Sequence, residues 1–206
     1  MSSIKEHWEN IYQTRDHKTV GWYQETPAIS LQLLSEIGAS PSQSIIDVGC
    51  GASLLVDHLI EQGYKKILLV DISSEALLTI KNRLGDQGDL PTYLSKDITQ
   101  ITCSEPYDLW HDRAVFHFLT DEADRKLYMA NLSACLAAKG TAIIGTFSLN
   151  GPNTCSGLEI VQYDEAKMKL ELSSDLQITD TSVSVHVMPN GAEQEYMYFI
   201  IKRIES

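Results

Sequence analysis

The chain has 206 residues, of which 43% are hydrophobic and 21% are charged, as in soluble domains large enough to bury their own core. Asp and Glu number 28 and Lys and Arg number 16, so the formal net charge is −12. A surface of this charge repels phosphate backbones, and the sequence has no long basic run. We therefore predict no nucleic-acid partner.

The sequence also bears on location and on metal binding. No apolar run approaches membrane-spanning length, and the N-terminus has no apolar signal core, so we expect a cytoplasmic protein without membrane attachment. The cysteines form no CxxC pair and have no zinc-ligand spacing with the histidines. We predict reduced thiols and no metal site. The four cysteines are Cys50, Cys103, Cys135 and Cys155.

Two helices are predicted near the N-terminus. Apolar residues recur at helical spacing over residues 3–13. A second helix begins near Pro27 and ends at about Ile37, just before Gly38. We expect residues 1–40 to form a helical cap on the rest of the domain.

Strands and helices alternate over residues 41–148. Apolar runs such as ILLV and AIIG are separated by amphipathic segments. This alternation indicates a mainly parallel sheet with helices on both faces. The predicted strands cover residues 44–48, 66–72, 91–98, 107–112 and 141–148, and the last predicted helix runs from Thr120 to Gly140.

The C-terminal residues predict an antiparallel hairpin. Val183, Val185 and Val187 alternate with polar residues, which indicates a half-buried strand. A second strand-like run follows the Asn-Gly pair at residues 190–191, and such a turn between two strands is typical of a hairpin. We predict one domain over residues 1–206 with an α/β, Rossmann-like, doubly wound sheet of seven strands. The sheet is mainly parallel and ends in the antiparallel hairpin.

The stretch IIDVGCGAS places an acid and two glycines at one strand-to-helix turn. Asp47 ends the strand, and Gly49 and Gly51 leave no Cβ between the backbone and a ligand. The next strand ends at Asp71, 24 residues further on (71 − 47). Ligands of open α/β sheets bind at the carboxyl ends of the strands, where an acid at this spacing hydrogen-bonds ribose hydroxyls. The pattern predicts a nucleoside ligand.

The residues of this turn also indicate which class of nucleoside ligand binds. Dinucleotide sites use GxGxxG, but Leu54 occupies the position of the third glycine. Asp47 lies close to where a pyrophosphate would sit, and an acid there suits a ligand with positive charge. S-adenosylmethionine fits, because it carries an ammonium, a sulfonium and a ribose. A nicotinamide-dependent oxidoreductase is disfavoured, and a non-catalytic domain that binds the cofactor or a partner stays open.

With these residues the sequence resembles the class I S-adenosylmethionine-dependent methyltransferases over residues 44–148. DVGCGAS matches the family motif D/E-x-G-x-G-x-G except at Ser53, which we expect to cap the following helix. Asp71 matches the ribose-binding acid, and Asp97-Ile98 match the pair that holds the adenine. The motif WHDRAVFHFLTD is similar to a bacterial subgroup, and HWENIYQTR with VGWYQ is similar to small protein-lysine methyltransferases.

The resemblance implies methyl transfer from S-adenosylmethionine to a small-molecule or protein side-chain acceptor. Trp22 either closes over the methionine end of the cofactor or packs onto the core. Residues 149–206 are expected to supply an acceptor-side loop, in which Cys155 lines the acceptor pocket or is a buried thiol. The implied cofactor-binding residues are Asp47, Gly49, Cys50, Gly51, Asp71, Ile72, Asp97, Ile98 and Trp22.

Candidate catalytic residues lie on the fourth predicted strand. Its carboxyl end should bring His111 and Asp112 beside the glycine turn. We expect His111 or His117 to orient or deprotonate the acceptor, since histidine titrates in the right range. We expect Asp112 to hold a positive group. The alternatives are an ion pair of Asp112 with Arg113 and a core position for His117.

Overall fold

A computed structural model of the protein describes residues 3–204, so residues 1–2 and 205–206 of the predicted domain lie outside the described part. The N-terminal segment contains the two predicted helices, α1 (Ile4–Thr14) and α2 (Ala28–Glu36). The side chain of Ser3 and that of Glu6 form a reciprocal capping box at the start of α1. Pro27 precedes α2. Its missing N–H costs no hydrogen bond at this position, because the first N–H groups of a helix have no intrahelical partner.

A sheet of seven strands confirms the predicted fold class. Five parallel strands are followed by an antiparallel pair, in the order β3-β2-β1-β4-β5-β9-β8. A separate two-stranded hairpin, β6 and β7, was not predicted. The strands are β1 (Ile45–Val48), β2 (Ile67–Asp71), β3 (Thr92–Ser95), β4 (Tyr107–Arg113), β5 (Leu136–Phe147), β6 (Thr154–Cys155), β7 (Leu158–Glu159), β8 (Leu176–Val187) and β9 (Glu193–Arg203).

Helices cover both faces of the sheet, and neighbouring residues of each strand enter different cores. Ile46 and Val48 pack in one apolar cluster with Tyr128 of the fifth helix, whereas Ile45 packs in the other with Leu33 of α2. This alternation follows from the strand repeat of two residues. None of the helices within residues 3–204 is long and apolar enough to cross a membrane. The remaining helices are α3 (Leu55–Glu61), α4 (Ser74–Leu84), α5 (Glu122–Cys135) and α6 (Glu165–Glu171).

The predicted C-terminal end of the long helix is wrong. Helix α5 ends at Cys135, and Leu136 already belongs to β5, where it pairs with Tyr107. The guanidinium of Arg203 on β9 donates hydrogen bonds to the main-chain carbonyls of Ser133 and Leu136. These long-range contacts end a helix whose local sequence, LAAK, favours continuation.

The prediction of reduced thiols is wrong for two of the cysteines. Cys103 precedes β4, Cys135 ends α5, and the two form a disulfide with their Cα atoms 5.4 Å apart. The two cysteines are 32 positions apart, and the sequence gave no signal of their pairing, because the fold alone brings the two segments together. Cys50 and Cys155 are free thiols.

Candidate functional site

The turn between β1 and α3 requires both of its glycines. Gly49 has φ +57° and Gly51 has φ +53°, in the left-handed region. A Cβ on Gly49 would lie 1.8 Å from Cγ2 of Val115, and one on Gly51 would lie 2.3 Å from the hydroxyl of Tyr12. The bare backbone of this turn is therefore needed for packing as well as for conformation.

Ser53 and Cys50 complete the turn. The Ser53 hydroxyl accepts a hydrogen bond from the Leu55 N–H at 3.1 Å and satisfies one free donor at the start of α3, but the N-cap residue is Leu54 and not Ser53 as predicted. The Cys50 N–H donates to the Val70 carbonyl, so the turn is tied to β2. Burial raises the pKa of the Cys50 thiol well above its usual range, so the thiol is neutral.

Asp71 ends β2 beside the turn. One carboxylate oxygen accepts the Gly51 N–H and the other accepts the Ser73 N–H, both at 2.8 Å. Burial raises the pKa of Asp71 to about 6, although these two hydrogen bonds lower it. The carboxylate is thus held in one plane, and each of its oxygens keeps a lone pair for a further donor.

A cavity of about 360 Å³ opens at the carboxyl ends of β1, β2 and β4. One wall is made by Asp71, Ile72, Asp97 and Ile98, which are four of the predicted cofactor residues. Asp97 is the N-cap of a short 3-10 turn after β3, and its carboxylate accepts hydrogen bonds from the N–H and the hydroxyl of Thr99. The structure thus brings these residues, from two different strand ends, to one cavity.

The other walls of this cavity come from the N-terminal segment and from the loop after β4. Trp8 and Tyr12 on α1 line it together with Trp22, and the Trp22 ring meets the Trp8 ring edge-on with centroids 5.6 Å apart. Trp22 also borders a second cavity of about 50 Å³. Both cavities therefore share the aromatic side chain that the sequence singled out.

Glu9 holds helix α1 over the cavity through hydrogen bonds to the start of α4. Its carboxylate accepts hydrogen bonds from the hydroxyl of Ser73, the N–H and hydroxyl of Ser74, and the N–H of Glu75, at 2.7–3.1 Å. Burial alone would raise the pKa of Glu9, but these hydrogen bonds favour the ionised carboxylate more strongly and lower the pKa to about 2. An anion at the first turn of α4 also interacts favourably with the helix dipole.

His111 on β4 lies in the middle of a buried hydrogen-bonded row. Its Nδ1 is 2.7 Å from the Asp47 carboxylate, and its Nε2 is 2.9 Å from the Ser30 hydroxyl. The contact follows from strand register, because Asp47 and His111 are direct partners in the β1–β4 pair. All three side chains are buried, and they line the smaller cavity. Both ring nitrogens of His111 are therefore already engaged.

Asp112 faces the opposite side of the sheet from His111. It is fully buried and accepts hydrogen bonds from the N–H groups of Val115 and Phe116 and from the Tyr128 hydroxyl. Burial raises the pKa of Asp112 to about 6, although these hydrogen bonds lower it. Asp112 lines neither cavity, so the two predicted catalytic residues are adjacent in sequence but do not share a site.

His117 and Cys155, whose roles the sequence left open, have different surroundings. The Phe147 N–H donates to Nδ1 of His117, and burial lowers the pKa of His117 to about 3, so it is a neutral core residue. Cys155 lines the larger cavity, and burial raises its pKa to about 11, so its thiol stays protonated at neutral pH. Among residues 3–204 no group of His, Cys, Asp and Glu is arranged to hold a metal ion.

Arg113 is a residue of the site that the sequence did not predict. It does not pair with Asp112, and it lines both cavities. Nη1 donates to the Trp22 carbonyl at 3.0 Å. The signal available in the sequence was its position two residues after His111, since alternate residues of a strand share a face.

The chain is similar to known methyltransferases in sequence and in fold. Residues 46–142 match the family model described as "Methyltransferase domain". The chain is 28% identical over 124 residues to the eEF1A lysine and N-terminal methyltransferase of Bos taurus, which covers 59% of this chain and 18% of that protein. A crystal structure of a SAM-dependent methyltransferase from Anabaena variabilis superposes with a TM-score of 0.77 at 16% identity, covering 99% of this chain and 96% of the other. The N-methyltransferase NodS from Bradyrhizobium japonicum, in complex with S-adenosylhomocysteine, gives 0.73 at 15% identity, with coverage of 97% and 100%.

These matches define the class of the domain. The match of residues 46–142 to the methyltransferase-domain model supports the predicted class, and the structural likenesses show the fold. The chain spans less than a fifth of the length of the bovine relative, 18%. The predicted bacterial subgroup stays a prediction.

Proposed function

We propose that this chain transfers a methyl group from S-adenosylmethionine to a small-molecule or protein side-chain acceptor. The observation that carries the proposal is the fixed Asp71 carboxylate beside Gly49 and Gly51, at the edge of a cavity of about 360 Å³. The methyltransferase domain match over residues 46–142 supports it. The cofactor, when bound, supplies an electrophilic methyl group on its sulfonium.

The larger cavity suits the nucleoside part of the cofactor. We assign Asp71 to the ribose hydroxyls, because both of its oxygens are held by main-chain N–H groups and keep further lone pairs. We assign Ile72, Asp97 and Ile98 to the adenine, because they line the same wall. Gly49 allows the backbone to come close to the ligand without a Cβ.

The smaller cavity suits the methionine part. We assign Asp47 to the ammonium, since its buried negative charge lies at the glycine turn around Cys50. His111 is then a positioning residue: it orients the Asp47 carboxylate, and both of its nitrogens are engaged with Asp47 and Ser30. This role replaces direct deprotonation of the acceptor by His111.

Methyl transfer is an in-line displacement, so rate depends on alignment and closeness of the reactants. We assign Trp22 to closing the site, because it borders both cavities and packs on Trp8. The −12 net charge supports an acceptor other than nucleic acid. A non-catalytic cofactor-binding domain is the second candidate, since both ring nitrogens of His111 are engaged and Asp112 lines neither cavity.

Calorimetry and product analysis test the proposal. S-adenosylmethionine and S-adenosylhomocysteine are expected to bind, whereas NAD is not. Labelled methyl groups should then appear in a protein or metabolite fraction of a bacterial lysate. Binding without any transfer would favour the non-catalytic alternative, and tight NAD binding would overturn the proposal.

The Glu9 contact should control how long the cofactor stays bound. Replacing Glu9 with alanine removes the hydrogen bonds that hold α1 over the cavity. Because Glu9 is partly solvent-accessible, we expect a cost of about 1 kcal/mol, equivalent to roughly fivefold faster dissociation of S-adenosylhomocysteine. Stopped-flow tryptophan fluorescence can follow this step, since Trp8 and Trp22 line the site. Gln13→Ala, exposed on the same helix, is the matched control, and equal dissociation rates would contradict the assignment.

A further inference from the structure

Residues 15–27, between α1 and α2, form the Trp22 segment, which lines the smaller cavity and contains no helix or strand. A turn hydrogen bond joins the Tyr23 N–H to the Val20 carbonyl at 3.1 Å. A turn of this kind sets the local conformation but not the place of the segment in the domain. The position of Trp22 beside both cavities therefore depends on contacts from other elements.

Two successive carbonyls of the Trp22 segment accept hydrogen bonds from distant side chains. Nε2 of His186, near the end of β8, is 2.7 Å from the Gly21 carbonyl oxygen. Nη1 of Arg113, at the end of β4, donates to the Trp22 carbonyl at 3.0 Å. A carbonyl oxygen only accepts, so the His186 proton is on Nε2. The segment is thus held from two separate strands of the sheet.

The tip of the β8–β9 hairpin also packs against Gly21. A Cβ on Gly21 would lie 2.7 Å from Cε of Met188, the residue after β8. Gly21 does not have a positive φ, so its missing side chain serves this close contact rather than the turn conformation. Hydrogen bonds from the Met188 N–H to the Ala192 carbonyl and from the Gly191 N–H to the Met188 carbonyl, both 2.8 Å, close the hairpin tip. The contact on Gly21 therefore comes from a hydrogen-bonded turn.

Tyr196 and Tyr198 on β9 support the two donors. The Arg113 guanidinium carbon lies 5.1 Å from the centroid of the Tyr196 ring, and the Tyr198 hydroxyl accepts a hydrogen bond from this guanidinium. The His186 ring meets the Tyr196 ring edge-on, with centroids 6.3 Å apart. Burial lowers the pKa of His186 and the Arg113 charge lowers it further, so its imidazole is neutral at physiological pH. Both donors are thus fixed by buried neighbours.

We propose that His186 is a positioning residue of the cofactor site, which together with Arg113 holds the Trp22 segment over the methionine part of S-adenosylmethionine. The proposal rests on the proposed function, because it concerns the closing of that same site. His186 and Met188 line neither cavity, so the hairpin acts on the cofactor only through the Trp22 segment. Loss of the His186 donor should leave the cofactor-binding groups in place but release Trp22.

Hydrogen exchange of the protein without ligand tests the contact itself. His186→Leu removes the donor and keeps a side chain that can fill the buried space, so exchange of the Tyr23 N–H, followed by NMR, should be about fivefold faster. His186→Gln places an amide N–H at the reach of Nε2 and should restore slow exchange. Val187→Ala, at the exposed next position of β8, is the matched control. Equal exchange in His186→Leu and in the unaltered protein overturns the proposal.

The affinity for S-adenosylhomocysteine tests whether the contact acts through Trp22. In calorimetry, His186→Leu should weaken binding by about fivefold, since one neutral hydrogen bond is lost, and His186→Gln should restore it. In a Trp22→Ala background the same change should have almost no further effect, because the side chain that is positioned is absent. A thermal melt shows that each variant is folded.

The two backgrounds separate positioning from general support of the fold. An equal loss of affinity on His186→Leu with and without Trp22 would mean that His186 does not act through this segment, and it overturns the proposal. Failure of S-adenosylhomocysteine to bind the unaltered protein contradicts the proposed function instead, and hydrogen exchange then decides the contact without it.

Discussion

Replacing Asp112 with alanine is expected to lower the free energy of unfolding by about 3–5 kcal/mol. The change leaves the N–H groups of Val115 and Phe116 and the hydroxyl of Tyr128 without an acceptor in a fully buried site. Tyr128 also accepts the indole N–H of Trp110, so one substitution disturbs a row of polar contacts inside the core. Urea denaturation of the variant and of the unaltered protein measures the difference.

Two comparisons make this result specific to the buried contacts. Asp86→Ala removes an exposed carboxylate and should change stability by less than about 0.5 kcal/mol. Asp112→Asn keeps one acceptor oxygen and should be intermediate, with unchanged affinity for S-adenosylhomocysteine in the folded protein. A loss below about 1 kcal/mol in Asp112→Ala would show that these hydrogen bonds do not support the core.

Replacing Asp71 with asparagine is expected to weaken binding of S-adenosylhomocysteine by about ten- to a hundredfold. The substitution removes the charge-assisted hydrogen bonds that we propose Asp71 accepts from the ribose, worth about 1.5–3 kcal/mol. It also turns one amide N–H group towards the main-chain donor of Gly51 or Ser73, where an oxygen accepts in the native protein. Calorimetry measures the affinity, and Asp86→Asn is the control. Unchanged affinity in a folded variant would remove Asp71 from the ribose site.

The same carboxylate should make cofactor affinity depend on pH. Burial raises the pKa of Asp71 to about 6, and in the proposed site the ribose hydroxyls donate to its ionised form. Affinity should therefore be full above pH 7 and fall as pH drops through 6, by about tenfold at pH 5, where about nine-tenths of the groups are protonated. This dependence should disappear in Asp71→Asn. A decline of equal size in the variant would assign the titration to another group.

Much of the fold was predictable from local patterns. The apolar strands separated by amphipathic helices indicated the parallel sheet, and the Asn-Gly pair indicated the antiparallel hairpin of β8 and β9. The glycine turn was also predictable, because Gly49 and Gly51 have φ values that other residues rarely adopt. In each case the structure follows from the preferences of a short segment.

The end of helix α5 and the disulfide could not be predicted from the sequence, because both depend on long-range contacts. The end of α5 depends on Arg203, which lies 67 residues beyond Leu136 in the chain. The Cys103–Cys135 disulfide depends on the packing of α5 beside the segment that precedes β4. Neither contact has a local signature, because each is made by segments that meet only in the folded chain.

The sequence by itself determined which residues stand at the carboxyl ends of the strands, including Asp47, Asp71 and His111, because hydrophobic pattern and spacing are local properties. Only the tertiary structure decided which of them act together. The register of β1 against β4 joins His111 to Asp47, and the two-residue repeat of a strand turns Asp112 into the opposite core and Arg113 back towards the cavities. The environment of each side chain is set by strands and helices distant in sequence, and this environment makes Asp112 a buried support and Arg113 a residue that lines the cavities.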